Sequence, residues 1–201
     1  MIFETQQVAQ KAALYAVVVC WWLFALTFWL RKRPTPTRET TRDWTSLIGL
    51  ALQAVAYGIV WFSPLLKRGL FPTIAATTTV QSGMALVAVI VAAGSVWMVN
   101  AAARRMGKQW ALTARLVEGH ELIQDGPFRL VRNPIYTGML GLLIATGMAL
   151  AQWIPLLIAV AIFVVGTCIR VRSEERLLRQ AFGPEFEAYA RSVPALIPGI
   201  Y

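Results

Sequence analysis

Residues 119–138 read GHELIQDGPFRLVRNPIYTG and interrupt a chain that is otherwise mostly apolar. The segment is rich in glycine, proline and arginine, and it contains the single histidine of the chain, His120. Such a composition makes a poor membrane span and has too many turn residues for one long helix. We therefore predict a compact loop that faces the cytosol, and loops of this kind usually carry function.

The composition on either side of this loop is that of a membrane protein. Of 201 residues, 57% are hydrophobic and 14% are charged, and the mean hydropathy is +0.58. This balance predicts an all-α integral membrane fold rather than a soluble domain. The net charge of +9 comes from blocks beside apolar runs and does not form one basic face, so we expect membrane lipids and no nucleic acid as partners.

The first half of the chain contains three apolar runs long enough to span a bilayer, at residues 12–30, 44–66 and 80–103. As a helix the first run would measure about 28 Å, close to a hydrocarbon core of about 30 Å. In the third run we expect Gly83, Gly94, Ser95 and Asn100 to let helices approach closely. The N-terminus has no basic region and no small-residue cleavage site, so we expect no cleaved signal peptide.

Residues 137–169 carry no charge. One straight helix of that length would measure about 50 Å, so the run should fold back on itself. We place the bend at 151–155, where Pro155 stands, and predict five transmembrane segments, the last two forming a helical hairpin. Two regions follow: an N-terminal three-span membrane region at 1–103 and a core at 104–201 with the loop, the hairpin and the tail.

The basic residues predict the orientation, because cytoplasmic loops hold the excess of lysine and arginine. Residues 31–43, 104–136 and 170–201 hold 5, 6 and 5 of them, which is 16 of the 19 in the chain. We therefore expect the N-terminus outside and both the loop and the C-terminus in the cytosol.

The tail predicts two helices. Residues 170–182 should extend the last membrane helix up to Gly183, a typical C-terminal cap. Pro184 should begin a short helix in which Phe186 and Tyr189 share an apolar face.

Several common chemistries are missing from the sequence. One histidine and two membrane cysteines cannot make a plausible zinc site, so we expect no metal. There is no phosphate-binding glycine loop and no dinucleotide glycine pattern. Catalysis must depend on carboxylates, arginines and a bound cofactor.

The ordered motifs of the second half resemble the isoprenylcysteine carboxyl methyltransferase family, part of a wider group of membrane phospholipid methyltransferases. The resemblance covers about residues 105–200. It rests on HELI at 120–123, GPF at 126–128, RNPIYTG at 132–138, and Glu174-Glu175 eight residues before Gly183.

The resemblance implies an enzyme that binds S-adenosylmethionine in a cytosolic pocket closed by the loop and the tail, with a lipophilic substrate arriving from the bilayer. Arg170 would bind the substrate and, with Glu174, take part in catalysis. The implied cofactor-binding residues are His120, Glu121, Leu122, Ile123, Phe128, Asn133, Pro134, Ile135, Tyr136 and Glu174. The acceptor would be the carboxylate of an isoprenylcysteine-like compound.

Two positions depart from the family pattern. Phe128 stands where the family commonly has tyrosine and loses a hydroxyl, and Asn133 stands where it commonly has histidine and cannot be protonated. These changes affect substrate choice more than reaction class. The sequence does not decide between O-, N- and S-methylation.

The physical reading of the residues agrees with the resemblance. A sulfonium cofactor needs an acidic group such as Glu174 and an aromatic wall such as Tyr136. A carboxylate acceptor needs no base, only a cation to hold it. An amine acceptor needs a proton acceptor, for which Glu175 is the candidate.

Each assignment has a structural alternative. Arg170 and Glu174, four apart, would form a surface ion pair, Glu175 would support the helix through Arg179, and Arg129 and Arg132 would contact lipid phosphate. At the level of function the alternatives are a phospholipid amine N-methyltransferase, an NADPH-dependent membrane reductase of related architecture, and a non-enzymatic scaffold.

Overall fold

The computed structural model describes residues 2–30, 39–66, 78–110, 114–117, 119–151 and 153–199. Its helices are α1 (Ile2–Trp29), α2 (Ser46–Phe62), α3 (Thr78–Met106), α4 (Pro134–Ala149), α5 (Trp153–Phe182) and α6 (Pro184–Ser192). Two short strands, β1 (Glu39–Asp43) and β2 (Ala114–Val117), and three short 3-10 helices at Ser63–Leu66, Gly107–Gln109 and Gly126–Arg129 complete the described architecture. The basic linker at 31–38 and the connection at 67–77 lie outside the described residues.

Among the described residues, four helices are long and apolar enough to cross a membrane. These stretches are Val8–Trp29, Ser46–Leu65, Thr79–Met106 and Trp153–Phe182. The predicted helical membrane class is therefore confirmed. Helix α4 is apolar but has 16 residues, which corresponds to about 24 Å and is short for a full span. The count of five spans stays a prediction.

The hairpin bends where the sequence predicts. Helix α4 ends at Ala149, Ala151 adopts a positive φ of 52°, and α5 begins at Trp153 with Pro155 in its first turn, where proline costs no helical hydrogen bond. The two arms pack on α2 in an apolar cluster of Ala56, Val60, Leu143, Leu156, Ala159 and Phe163.

Helices α3 and α4 approach closely, but through other glycines than expected. A Cβ on Gly83 or Gly94 would meet nothing within 4 Å, so the packing role predicted for these two residues is wrong. A Cβ on Gly138 would instead lie 2.5 Å from Val99 Cγ2 and 2.8 Å from the Ser95 carbonyl. The contact therefore forms on Ser95, as predicted, and α4 supplies the glycine.

The tail folds as the sequence indicates. Helix α5 runs without a break to Phe182, Gly183 follows with a φ of 48°, and Pro184 begins α6. Phe186 and Tyr189 are both buried, with ring centroids 6.4 Å apart. Burial of this pair holds α6 against the protein.

The antiparallel pair β1–β2 is an element that the all-α prediction lacks. Asp43 lies opposite Ala114 in the register, and the Ser46 hydroxyl accepts a hydrogen bond from Ala114 N at 3.3 Å. Asp43 Oδ2 also lies 3.5 Å from Arg176 NH1 on α5. The strands have only five and four residues, with no alternating pattern that would indicate them. They bring the described parts of the three basic segments together at one end of the bundle.

Candidate active site

A cavity of about 430 Å³ lies where the loop, the start of α4 and the C-terminal half of α5 meet. Its wall is mostly apolar. Eight of the eleven site residues predicted from the sequence line it: His120, Phe128, Asn133, Pro134, Ile135, Tyr136, Arg170 and Glu174. The structure thus brings the loop and the acidic start of the tail to one cavity.

Tyr136 joins the two charged residues of α5. Its hydroxyl donates a hydrogen bond to Glu174 Oε1 and accepts one from Arg170 Nε at 2.9 Å. The Arg170 guanidinium carbon lies 5.0 Å from the centre of the Tyr136 ring, within cation–π range. Arg170 is 4% exposed, so the alternative of a surface ion pair between Arg170 and Glu174 is wrong.

Local sequence explains this placement. Pro134 occupies the first turn of α4, where its fixed φ suits a helix start, and Tyr136 lies two residues further on. Arg170 and Glu174 are one turn apart on α5 and therefore share a face. Tyr136, in the first turn of α4, therefore contacts both Arg170 and Glu174 on one face of α5.

The loop and the tail are tied by their backbones and side chains. Arg132 N donates to the Pro194 carbonyl at 2.8 Å, and Asn133 N donates to the Ala195 carbonyl at 3.1 Å. The Asn133 side-chain amide also donates to Ala195 O at 3.1 Å, so the asparagine at this departing position helps dock the tail.

A buried tyrosine makes a further tie on the other side of the loop. The Tyr189 hydroxyl donates to the Phe128 carbonyl at 2.7 Å, and burial raises the pKa of Tyr189 to about 12. The hydroxyl therefore stays protonated and can keep donating across the physiological pH range.

His120 lies on the cavity wall beside Phe182, with ring centroids 6.2 Å apart. Its Nδ1 is buried and has no hydrogen-bond partner in the described part of the chain. Burial lowers the pKa of the imidazole, so the neutral ring predominates at pH 7. A neutral imidazole with an unused nitrogen is well suited to a bound ligand.

Three predicted cofactor residues do not line the cavity: Glu121, Leu122 and Ile123. Glu121 is exposed, and its backbone N–H donates to Gln109 Oε1 at 2.9 Å. Their assignment to the cofactor stays a prediction that the cavity does not support.

The cavity also has walls that the sequence reading missed. They come from α1, α2, the end of α3 and the residues just after it, β2, the loop, α4 and α5: Phe24, Phe28, Leu50, Met106, Gln109, Trp110, Ala114, Arg115, Leu116, Arg132, Met139, Leu177 and Leu178. Phe28 stacks on Trp110 with centroids 4.5 Å apart. Apart from Arg132, which belongs to the motif at 132–138, these residues stand in none of the motifs, and an apolar residue in a span reads as core or lipid contact. The division at 103/104 stays a prediction, and the cavity takes residues from both regions.

The sequence profile of the family described as phospholipid methyltransferase matches residues 83–185, just over half of the chain. The matched segment covers most of α3, the loop, α4, α5 and the start of α6. It begins earlier than the resemblance read from the motifs, which started near residue 105.

Individual relatives match about 40–50% of the chain. The chain is 32% identical over 103 residues to cobalt-zinc-cadmium resistance protein CzcN of Cupriavidus metallidurans, covering 50% of this chain and 47% of that protein. It is 30% identical over 84 residues to protein-S-isoprenylcysteine O-methyltransferase B of Arabidopsis thaliana, covering 42% and 43%. It is 35% identical over 81 residues to a probable protein-S-isoprenylcysteine O-methyltransferase of Oryza sativa subsp. indica, covering 40% and 42%. The chain thus spans less than half the length of each relative.

One of these names refers to metals. Within the described residues, no group of three or more histidine, cysteine, aspartate or glutamate side chains could hold a metal ion. The polar side-chain groups of the cavity are a carboxylate, arginines, amides, a phenol, an indole and one imidazole.

Proposed function

We propose that this chain, which belongs to the phospholipid methyltransferase family, is a membrane enzyme that transfers a methyl group from S-adenosylmethionine to a lipophilic acceptor. The acceptor we favour is the carboxylate of an isoprenylcysteine-like compound. Relatives named protein-S-isoprenylcysteine O-methyltransferase confirm the resemblance carried by the motifs.

The residues of the cavity fit this cofactor. When bound, S-adenosylmethionine supplies a methyl group already activated by its positive sulfonium. Glu174 offers a negative group to a cationic ligand, and the unused His120 Nδ1 offers a hydrogen-bond acceptor or donor. A mostly apolar cavity of about 430 Å³ is in the size range of small-molecule sites.

One observation carries the proposal: the Tyr136 hydroxyl links Arg170 and Glu174 on the wall of one cavity. A cationic cofactor requires a negative protein group and an anionic acceptor requires a positive one. These two protein groups must lie near each other without forming a direct ion pair. Tyr136 fills that position, because it hydrogen-bonds both groups without cancelling either charge. Arg170 would hold the acceptor's carboxylate through charge-assisted hydrogen bonds, and the apolar wall would exclude water.

The proposed orientation places the N-terminus outside and the loop and tail in the cytosol. Its support is the gathering of β1, β2 and the end of α5 at one end of the bundle, through the Asp43–Ala114 pairing and the Asp43–Arg176 contact. These are parts of the segments that hold most of the basic residues. The acceptor would then enter from the bilayer, with its polar end at the cytosolic cavity.

A phospholipid amine is the second candidate acceptor, favoured by the name of the family, phospholipid methyltransferase. This chemistry needs a proton acceptor. Glu175 does not suit the role, because it is 7% exposed, bound by Arg132 and Arg179, and off the cavity wall. Glu174 is the carboxylate that an amine would meet.

The test is methyl transfer from labelled S-adenosylmethionine by purified protein in detergent. We expect label in an S-farnesylated cysteine derivative as a base-labile methyl ester. Base-resistant label in the extracted phospholipid would instead indicate methylation of the amine. Folded protein that binds NADPH but not S-adenosylmethionine would contradict both and favour a reductase.

A further inference from the structure

Gln53 on α2 makes two hydrogen bonds to α5 from a fully buried position. It is 1% exposed. Its Nε2 donates to Thr167 Oγ1 at 2.8 Å, and its Oε1 accepts from Arg170 NH1 at 3.2 Å. A guanidinium can only donate, so it fixes which end of the Gln53 amide faces it. The amide NH2 is thereby directed to the Thr167 hydroxyl.

Gln53 reaches Arg170 because α2 and α5 lie unusually close together. A Cβ on Gly49, one turn before Gln53, would lie 2.5 Å from Arg170 Cγ and would collide with the Gly166 carbonyl. A Cβ on Gly166 would lie 2.7 Å from the Gly49 carbonyl. Facing glycines let the backbones approach, and the short amide side chain then spans the gap.

The Arg170 guanidinium is thus held at two of its nitrogens. Tyr136 accepts from Nε, and Gln53 accepts from NH1. The planar guanidinium presents its donors in a fixed fork, so two such bonds determine its rotation. Without Gln53, the guanidinium would lose the contact at NH1 that helps fix this rotation.

We propose that Gln53 is a positioning residue, which holds the Arg170 guanidinium in the orientation that receives an anionic group of the acceptor. The inference rests on the proposed function. Gln53 itself does not line the cavity and lies outside the segment 83–185 that the family profile matches. The N-terminal half therefore contributes to acceptor selection through a contact behind Arg170.

A purely structural role for Gln53 makes a different prediction. If it only satisfied buried polar groups, its loss would lower stability and affect every ligand alike. As a positioning residue it affects the anionic group alone, so the informative quantity is a ratio of two affinities.

The experiment measures binding of N-acetyl-S-farnesylcysteine and of its neutral carboxamide to purified protein, with S-adenosylhomocysteine as a third ligand. We expect the wild type to prefer the carboxylate about tenfold or more, and Gln53→Leu to prefer it less than about threefold. Its affinity for S-adenosylhomocysteine should change less than about twofold. Gln53→Met has nearly the same length and removes the acceptor for NH1 without adding a charge, so it should also lose the preference, and it serves if the leucine variant does not fold.

The matched control is Thr146→Val, which removes another buried polar contact, the 3.0 Å hydrogen bond from Trp21 Nε1, away from the cavity wall. It should keep the full preference. If both Gln53 variants kept the preference for the carboxylate, the positioning role of Gln53 would be overturned and the proposed function would stand. An equal loss of that preference in Thr146→Val would have the same consequence. Equal binding of both probes by the wild type would overturn the proposed acceptor and the inference with it.

Discussion

Arg132 binds Glu175 with two donors, Nε at 3.0 Å and NH2 at 2.8 Å from the same carboxylate oxygen. Its NH1 also donates to the carbonyls of Ala190, at 2.8 Å, and Val193. A single arginine of the loop thus binds α5, α6 and the segment after α6. The lipid-phosphate role considered for Arg132 is wrong, because its side chain is only 13% exposed and is engaged within the protein.

Replacing Arg132 should therefore destabilise the protein. Arg132→Leu leaves the buried Glu175 carboxylate with Arg179 as its remaining cation, and we expect a loss of about 3 kcal/mol in the free energy of unfolding. Thermal unfolding in detergent measures it. Arg129→Leu is the matched control, since Arg129 is an exposed arginine of the same loop and should change stability by less than about 0.5 kcal/mol. Equal losses of stability in both variants would contradict this structural role of Arg132.

Tyr136→Phe should separate chemistry from packing. The variant keeps the buried ring and its contact with Arg170 but removes the hydroxyl that bonds Arg170 and Glu174. We expect methyl transfer to fall about tenfold or more, with a stability loss of about 1 kcal/mol. The measurement is kcat/KM beside a melting curve. Wild-type turnover in a well-folded variant would show that methyl transfer does not need the Tyr136 hydroxyl.

How much the sequence could show depends on the range of the contact. The hairpin bend, the unbroken α5 and the Gly183–Pro184 junction follow from helix length, proline and glycine, which act locally. The pairing of β1 with β2, and the bond from Gln53 to Arg170, join segments far apart in the chain and leave no periodic signal. The packing roles of glycines are partly predictable, because the sequence of a helix shows which residues are small but not which face of the helix contacts a neighbour.

Glu174 and Glu121, both predicted to bind the cofactor, should behave differently. Glu174 lines the cavity, whereas Glu121 is exposed and off its wall. Glu174→Gln should weaken S-adenosylmethionine binding about tenfold or more, because a buried site loses its negative group. Glu121→Gln should change it less than about twofold. Calorimetric titration of each variant decides. A larger effect at Glu121 would restore the motif-based assignment and remove the cavity-based one.

Gly138 should tolerate a methyl group far less well than Gly94. A Cβ at Gly138 would press on Val99 and on the Ser95 backbone, whereas one at Gly94 meets nothing within 4 Å. We expect Gly138→Ala to cost about 1–3 kcal/mol by overpacking α3 against α4, and Gly94→Ala to be neutral or slightly stabilising because alanine favours helix. Unfolding of both variants in one detergent compares them directly. A neutral Gly138→Ala would mean that α3 and α4 can separate at no cost.

His120 should make cofactor binding sensitive to acid. Burial holds the imidazole pKa below its ordinary value, so the ring is neutral at pH 7 and gains a proton only as the pH falls through that lowered pKa. A protonated ring would repel the sulfonium, so S-adenosylmethionine should bind more weakly from pH 7 to pH 5, and neutral-sulfur S-adenosylhomocysteine should lose less.

The lowered pKa of His120 also makes the folded protein less stable as the pH falls. Since the unfolded chain takes up the proton at a higher pH than the folded one, the contribution of His120 is present above the unfolded pKa and is lost as pH falls through the folded value. His120→Asn keeps polar atoms but does not titrate, so its S-adenosylmethionine affinity should vary less with pH. If that variant lost affinity in acid as steeply as the wild type, the sensitivity would belong to another group, and His120 would not face the cofactor.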